Sequence, residues 1–163
     1  EPGLIRVEAD EATYNLHVIV RFELELGIFE GRLTARDLPD AWNAGYARWL
    51  GVEVPDMRTG VLQDIHWASG LFGYFPSYTL GNLYAAGYGA AVESALPDLW
   101  TDIENGRFSD ILDWLRAHVH RRGREDTAPR IFADAVGDRD PVADLVDHLY
   151  TRQGALYGIQ RPA

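Results

Sequence analysis

The chain has 163 residues, of which 47% are hydrophobic and 25% charged, a composition typical of one globular domain. It has 25 acidic and 15 basic residues, and its net charge of −10 argues against a nucleic-acid partner. Cysteine and lysine are both absent, which excludes disulfides, thiolate chemistry, a P-loop lysine and a Schiff-base lysine.

The sequence also indicates a location and an incomplete chain. No apolar run reaches the roughly 18 residues that a membrane-spanning helix needs, and no signal-peptide pattern is present. We therefore expect a cytoplasmic protein without a membrane partner. The chain lacks an initiating Met and opens with EPGLIRVEADE, which is typical of the interior of a longer protein, so we expect a fragment.

Residues 4–30 are predicted to form one long helix, because the segment contains no proline and is followed by Gly31. An apolar stripe follows the helical period through Ile5, Ala9, Ala12, Leu16 and Val20. Four polar residues lie beside it within about 60° of arc: Arg6, Asp10, Thr13 and His17. Arg6 and Asp10 have the i,i+4 spacing of an ion pair. From the residues alone, a solvated helix edge with a modest surface ion pair explains this spacing better.

A second helix is predicted from the capping pattern that begins at Thr34, and it should run to about Leu50 with Gly51 behind it. Residues 51–60 are a turn-rich connector. Residues 60–88 are rich in glycine and aromatic residues, a composition that favours a packed loop of defined shape.

Helical character returns from about Leu80 and should break near Pro97. Ser109 is predicted to cap the next helix. Two shorter helices should open at Thr127 with Pro129 and at Asp140 with Pro141. The prediction is an all-α, bundle-like single domain over residues 1–163, with a Gly/aromatic-rich loop region and at most one or two short strands, near residues 61–66.

The histidines do not form a metal-binding pattern. H-E-x-x-H does not occur, and no two of the five histidines have the i,i+4 spacing of a zinc-binding helix. His118 and His120 are two residues apart on a predicted helix, so they diverge by about 200°. GYGAA at 87–91 lacks the remaining features of a nucleotide-binding loop, and close helix packing explains its glycines better.

The segment GVLQDIHW, residues 60–67, concentrates Gln63, Asp64, His66 and Trp67. In an extended segment Asp64 and His66 would project to the same face. A carboxylate beside an imidazole can fix its tautomer and leave an N–H donor directed outward. A buried histidine satisfied by its neighbouring aspartate explains the same pattern, and the local sequence does not decide between the two.

Three segments resemble the thermostable carboxypeptidases of the Taq type: LIRVEADEATYNLHVIVRFELE, GVLQDIHW and FGYFPSYTLGNLYAA. The family motif G-x-x-Q-D-x-H-W is met at Gly60, Gln63, Asp64, His66 and Trp67. The resemblance implies an all-helical zinc enzyme, a homodimer, that removes C-terminal residues from peptides. It covers nearly the whole chain, which would be the C-terminal part of such an enzyme.

By the family pattern, Arg6 would bind the terminal carboxylate of the substrate, and Asp10 would orient Arg6. His66 would donate to a substrate carbonyl or the oxyanion, and Tyr78, or less favourably Tyr74, would stabilise the tetrahedral intermediate. Gln63, Asp64 and Trp67 complete the substrate-binding set.

The family holds its zinc through H-E-x-x-H and a downstream glutamate, and the motif's own glutamate activates the water. The chain lacks that motif, so we expect no zinc on this chain alone and no catalysis by it in isolation. The resemblance implies a peptide C-terminus as ligand, and either a homodimer or association with a missing N-terminal half. The alternative is a non-catalytic homologue that binds peptide C-termini or serves as a dimerisation module.

Overall fold

All regular elements of residues 2–162, the part of the chain described in this computed structural model, are helical. The α-helices are α1 (Tyr14–Phe29), α2 (Leu38–Leu50), α3 (Pro76–Ala95), α4 (Leu99–Glu104), α5 (Ser109–His118), α6 (Ala128–Val136), α7 (Pro141–Leu149) and α8 (Ala155–Tyr157). Turns of 3-10 helix cover Arg6–Glu8, Trp67–Ser69 and His120–Arg122, and a π-helical turn covers Tyr150–Gly154. The all-α prediction is confirmed.

The chain divides into two units, one ending at Leu80 and the other beginning at Gly81. None of the helices between residues 2 and 162 is long and apolar enough to cross a membrane. The sequence-predicted site residues, from Arg6 to Tyr78, all belong to the first unit.

The core of the first unit forms where α1 packs against α2. Its buried members recur at intervals of four residues on each helix, as the helical period requires: Val20 and Leu24 on α1, and Trp42, Tyr46 and Leu50 on α2. The rings of Trp42 and Tyr46 are stacked with centroids 5.1 Å apart. This core is the support on which the polar residues of α1 rest.

The predicted single helix over residues 4–30 is wrong in its first part. Arg6–Glu8 form a 3-10 turn, Ala9 is extended, and α1 begins only at Tyr14. Asp10 accepts a bond from the backbone N–H of Thr13 at 2.9 Å, a local contact that competes with helix continuation. Arg6 and Asp10 therefore do not share a helical face, and their predicted i,i+4 pairing is wrong.

Most helix boundaries follow the capping signals. Gly51 ends α2 in the left-handed conformation at φ 69°, and α3 ends at Ala95, just before Pro97. Asp140 caps α7 by accepting from the backbone N–H of Val142. Ser109 is the first residue of α5 and not its cap.

Three other features differ from the prediction. The helix expected from Thr34 begins at Leu38, with Asp37 at its N-cap. The helix expected from Leu80 starts at Pro76, where a proline is favourable at the first position. Among residues 2–162 there is no strand, and residues 61–66 form turns and irregular backbone. The backbone N–H groups of Leu62 and Gln63 bond back to the carbonyls of Met57 and Gly60, which closes these turns.

Close helix packing in the second unit explains one glycine of the GYGAA segment, Gly87, but not Gly89, where a Cβ would meet nothing within 4 Å. Gly87 on α3 is buried, and a Cβ placed there would lie 2.4 Å from the ring of Phe132 on α6. The same Cβ would lie 3.1 Å from the carboxylate of Asp144, which Arg139 holds in a bidentate ion pair. The packing interpretation of Gly87 is confirmed.

We expect Gly87→Ala to lower the free energy of unfolding by about 1–3 kcal/mol, because the buried ring of Phe132 must move to admit the methyl group. The matched control is Gly89→Ala on the same helix, where a Cβ meets nothing within 4 Å. There the better helix propensity of alanine should raise stability by up to about 1 kcal/mol. Urea unfolding of both variants measures the difference, and equal shifts would contradict the packing argument.

Candidate functional site

The centre of the candidate site is one carboxylate shared by two buried arginines. Asp64 Oδ1 accepts from Nε and Nη2 of Arg6 at 3.1 and 2.7 Å. Asp64 Oδ2 accepts from Nε of Arg21 at 2.6 Å. Arg6 is 5% exposed and Arg21 is 0% exposed. The 3-10 turn, helix α1 and the loop before Trp67 thus meet at a single side chain.

Both arginines and Asp64 are charged at neutral pH. Burial by itself would raise the pKa of Asp64, but the bonds from Arg6 and the charge of Arg21 outweigh it and hold this pKa below its usual value. Burial likewise opposes the charge of Arg6, but its bonds to Asp64 raise the Arg6 pKa overall. Within residues 2–162 no second carboxylate lies within 4 Å of either guanidinium. The cluster therefore has an excess positive charge.

Gln63 ties the same three segments together. Its Oε1 accepts from the backbone N–H of Arg6 at 3.0 Å and from Arg21 Nη2 at 2.9 Å. Its Nε2 donates to the carbonyls of Leu4 and Thr59 at 3.0 and 2.8 Å. These bonds use both donors and both acceptor positions of the amide. Gln63 therefore uses all of its amide hydrogen-bonding positions to hold the 3-10 turn against the loop.

His66 and Tyr78 form the second part of the site. His66 Nε2 and the Tyr78 hydroxyl share a hydrogen bond of 3.0 Å. His66 Nδ1 is buried without a partner among the described residues and lies 3.7 Å from Asp64 Oδ1, which is longer than a hydrogen bond. No strand forms at residues 64–66, but the Asp64 and His66 side chains still lie close together.

Burial raises the pKa of Tyr78 above its usual value, and the phenol is protonated at neutral pH as in any tyrosine. Tyr74 is 45% exposed, and its ring centroid lies 5.4 Å from that of Tyr78 and 5.7 Å from that of His66. Arg6 lies over the Tyr78 ring at 5.1 Å. The arginine and the His66–Tyr78 pair are therefore parts of one continuous site.

Trp67 faces the protein and not the site. Its indole N–H donates to Glu25 Oε1 at 2.7 Å, and its ring meets Trp42 edge-on. Glu25 Oε2 accepts from the backbone N–H of Gly73 at 3.0 Å, so one carboxylate fastens both ends of the loop that precedes α3. The substrate contact proposed for Trp67 stays a prediction, and its observed contacts are structural.

Asp10 is exposed and bonds to Thr13, while Asp64 and Tyr14 are the residues that hold the Arg6 side chain. The Tyr14 hydroxyl accepts from Arg6 Nη1 at 3.0 Å. A substrate-binding role for Asp10 therefore stays a prediction, without the bond to Arg6 that motivated it.

The sequence analysis did not include Arg21, Tyr14 or Glu25 in the site. A signal for two of them was present, because His17, Arg21 and Glu25 recur every four residues within the mostly apolar α1. Such a polar line on one helix face, all of it buried here, indicates internal partners.

The protein-family model described as "Carboxypeptidase Taq (M32) metallopeptidase" matches residues 1–153. The chain belongs to this family. The match confirms the resemblance carried by GVLQDIHW and its flanking segments.

The alignments with individual M32 relatives cover nearly all of this chain but only part of each relative. Thermostable carboxypeptidase 1 of Thermus thermophilus is 50% identical over 97% of this chain and 31% of its own length. Carboxypeptidase 1 of Bacillus subtilis is 43% identical over 96% of this chain and 31% of its own. The crystal structure of the M32 carboxypeptidase from Deinococcus radiodurans R1 matches with a TM-score of 0.92 at 43% identity, over 98% of this chain and 32% of that one. The chain thus spans about a third of the length of these relatives.

The family description implies a metal, and the described residues of this chain do not fit a metal site. Across residues 2–162 no group of three or more His, Asp or Glu side chains could hold a metal ion. His66 directs Nε2 at Tyr78, and both oxygens of Asp64 are bound to arginines. In this cluster Arg6, Arg21, His66 and Tyr78 are arranged as hydrogen-bond donors and cations, and not as metal ligands.

His17 lies beside the arginine cluster, and its imidazole remains neutral. Tyr46 donates its hydroxyl to the Leu4 carbonyl, so the bond of 3.0 Å between His17 and Tyr46 uses the Nδ1–H of the imidazole. Burial and, after it, the positive charges of Arg21 and Arg6 lower the pKa of His17 to about 4.

This pKa predicts a dependence of stability on pH. Between about pH 6.5 and pH 4 the unfolded chain binds a proton at His17 that the folded chain does not, so stability falls as the pH falls through this window. We expect His17→Gln to remove about 2–3 kcal/mol of the stability difference between pH 7 and pH 4. Urea unfolding at both pH values tests this, with His120→Gln at an exposed position as control. An unchanged pH dependence in His17→Gln would contradict a neutral buried imidazole.

Proposed function

We propose that this chain forms the substrate-binding side of a metallocarboxypeptidase active site, and that the complete protein removes C-terminal residues from peptides. Arg6 binds the terminal carboxylate, and the His66–Tyr78 pair donates to the carbonyl oxygen of the bond to be cleaved. The observation that carries the proposal is the excess positive charge of the buried cluster, in which Arg6 and Arg21 share Asp64.

A buried cation without a carboxylate of its own favours an anionic ligand, because a charge out of water needs a partner. The side-chain bonds of Arg6 to Asp64 and Tyr14 use three of its five N–H groups. One N–H on each terminal nitrogen remains, and each can donate a charge-assisted bond to a ligand carboxylate. The Tyr14 and Tyr78 rings beside the guanidinium exclude water and strengthen such a bond.

The His66–Tyr78 pair supports the second role. With the proton on His66 Nε2, the imidazole donates to the Tyr78 oxygen, and the phenol proton is free to point at a substrate oxygen. A phenol keeps that proton at neutral pH, and the raised pKa of Tyr78 is in the same direction. Donors fixed before the reaction stabilise negative charge as it develops on a carbonyl oxygen, which is the largest single contribution in many hydrolytic enzymes.

Hydrolysis also requires a metal that polarises the carbonyl and a base that activates water. The described residues do not fit a metal, so we assign them no part in either task. A ligand set from another segment or another chain completes the proposed site. The zinc inferred from the family belongs to that part of the site.

We propose that the chain associates with this second component or with a copy of itself. Phe22, Leu26 and Phe29 lie on one face of α1 with more than a third of each side chain exposed, and Phe72 packs edge-on against Phe29. Exposed apolar side chains in a continuous stripe are typical of interaction surfaces.

The 163-residue chain by itself is expected to bind no stoichiometric zinc and to leave an N-blocked dipeptide intact in zinc-containing buffer. The reason is the lack of a ligand set and of a base in the described residues. Elemental analysis and a hydrolysis assay on the same sample measure both. Stoichiometric zinc together with turnover would overturn the division of roles.

If Arg6 binds the substrate carboxylate, the chain should bind a peptide with a free C-terminal carboxylate more tightly than the corresponding peptide amide. We define the acid preference as the ratio of the Kd of an N-blocked dipeptide amide to the Kd of the same peptide with a free C-terminal carboxylate. Loss of a charge-assisted bidentate pair in Arg6→Gln should reduce this preference by roughly 10- to 100-fold. Calorimetric titration of both peptides measures it.

Arg48→Gln is the matched control, because Arg48 is an exposed arginine that pairs with Glu23 outside the site. It should leave the acid preference unchanged. The carboxylate role is refuted if wild-type protein binds acid and amide equally well.

A further inference from the structure

Arg21 is completely buried and bonds to four different residues. Nε donates to Asp64, Nη2 to Gln63, and Nη1 to the His17 carbonyl at 2.6 Å and to the Tyr46 hydroxyl at 3.3 Å. Its guanidinium also lies 4.4 Å from the ring centroid of Trp42, in the core. No face of Arg21 is left for a ligand, so it cannot contact a substrate.

Two of these partners are the residues that hold Arg6. Asp64 gives one oxygen to Arg21 and the other to the side chain of Arg6. Gln63 accepts from Arg21 and from the backbone N–H of Arg6 through the same Oε1. Both the side chain and the backbone of Arg6 are therefore connected to Arg21 through one intermediate residue each.

We propose that Arg21 is a positioning residue that makes Arg6 competent to bind a peptide carboxylate. This inference rests on the proposed function of Arg6. Arg21 acts in two ways: it fixes the Asp64 oxygen on which Arg6 is oriented, and it takes up half of the Asp64 charge. Without Arg21 the carboxylate would rotate towards Arg6 and neutralise it, and the attraction for a second carboxylate would fall.

The chemistry of the guanidinium explains why this position holds arginine. The bonds run from three nitrogens in one plane to acceptors on α1, α2 and the loop, and the flat face stacks on an indole. A lysine retains the charge but presents a single nitrogen, which cannot hold Asp64 and Gln63 in these directions together. Arg21→Lys therefore separates the geometry from the charge.

The test is the acid preference of Arg21→Lys in the full 163-residue chain, measured with the same dipeptide acid and amide. We expect a loss of about tenfold, within the range of couplings inside one hydrogen-bond network. In an Arg6→Gln background the same substitution should have no further effect, because Arg21 acts through Arg6. A loss of folding alone would weaken acid and amide binding equally and leave their ratio unchanged.

The matched control is Arg139→Lys, which alters the other arginine that holds a buried aspartate, Asp144, in the second unit. It should lower stability without changing the acid preference. If Arg21→Lys does not fold, Gln63→Met interrupts the second connection at a less buried position, and a several-fold loss is expected there.

The outcomes separate the two proposals. Equal binding of acid and amide by wild-type protein refutes the role of Arg6. A second outcome refutes the role of Arg21 alone. In it, Arg6→Gln abolishes the wild-type acid preference, but Arg21→Lys (or Gln63→Met in its place) leaves that preference intact. Additive losses in the double variant would also overturn it, since they would show an effect independent of Arg6.

Discussion

The structure of the first unit depends on one carboxylate that two buried arginines share. Asp64 joins the 3-10 turn through Arg6, helix α1 through Arg21, and the loop to which it belongs. A buried ion pair contributes little net stability, but removal of one partner costs about 3–5 kcal/mol, because the other charge is left alone. The three segments are therefore locked together. Turns close residues 57–63 locally, and Gln63 then adds the bonds that give the loop one position relative to Arg6.

The ratio of cations to anions in this cluster relates its packing to the proposed function. A cluster designed for stability alone would match each guanidinium with a carboxylate, as Arg139 and Asp144 do in the second unit. The cluster instead retains one more cation than anions within 4 Å, and the stacking of Arg21 on Trp42 together with the bonds to Gln63 and Tyr46 offsets part of the cost. In the proposed function, the remaining cost becomes binding energy when a peptide carboxylate binds Arg6.

Sequence periodicity predicted the elements whose signals are local. The cap and proline at 140–141, the break at Pro97 and the glycine after α2 act within one turn of chain, and they were read correctly. The start of α1 was missed, because the backbone N–H of Arg6 bonds to Gln63, 57 residues away. The motif correctly predicted that Gln63, Asp64 and His66 lie close together. It did not predict their geometry, because the turns there depend on contacts outside the motif. Arg21 was missed although its four-residue spacing with His17 and Glu25 indicated an internal partner; the sequence does not show which one, because Asp64 lies 43 residues away.

The polar line of α1 also determines how the two parts of the site are spaced. Arg21 holds the cluster around Arg6, and one helical turn later Glu25 holds the loop that leads to Tyr74 and to Tyr78 at the start of α3. A turn of helix advances about 5.4 Å and is among the stiffest elements that a fold offers. An exopeptidase must measure the distance from a terminal carboxylate to a carbonyl one residue away, about 3.3–3.6 Å of extended chain. Because both anchor points lie on one helix, α1 restrains the spacing of Arg6 and the His66–Tyr78 pair, and in the proposed function this spacing would position the last peptide bond relative to Arg6.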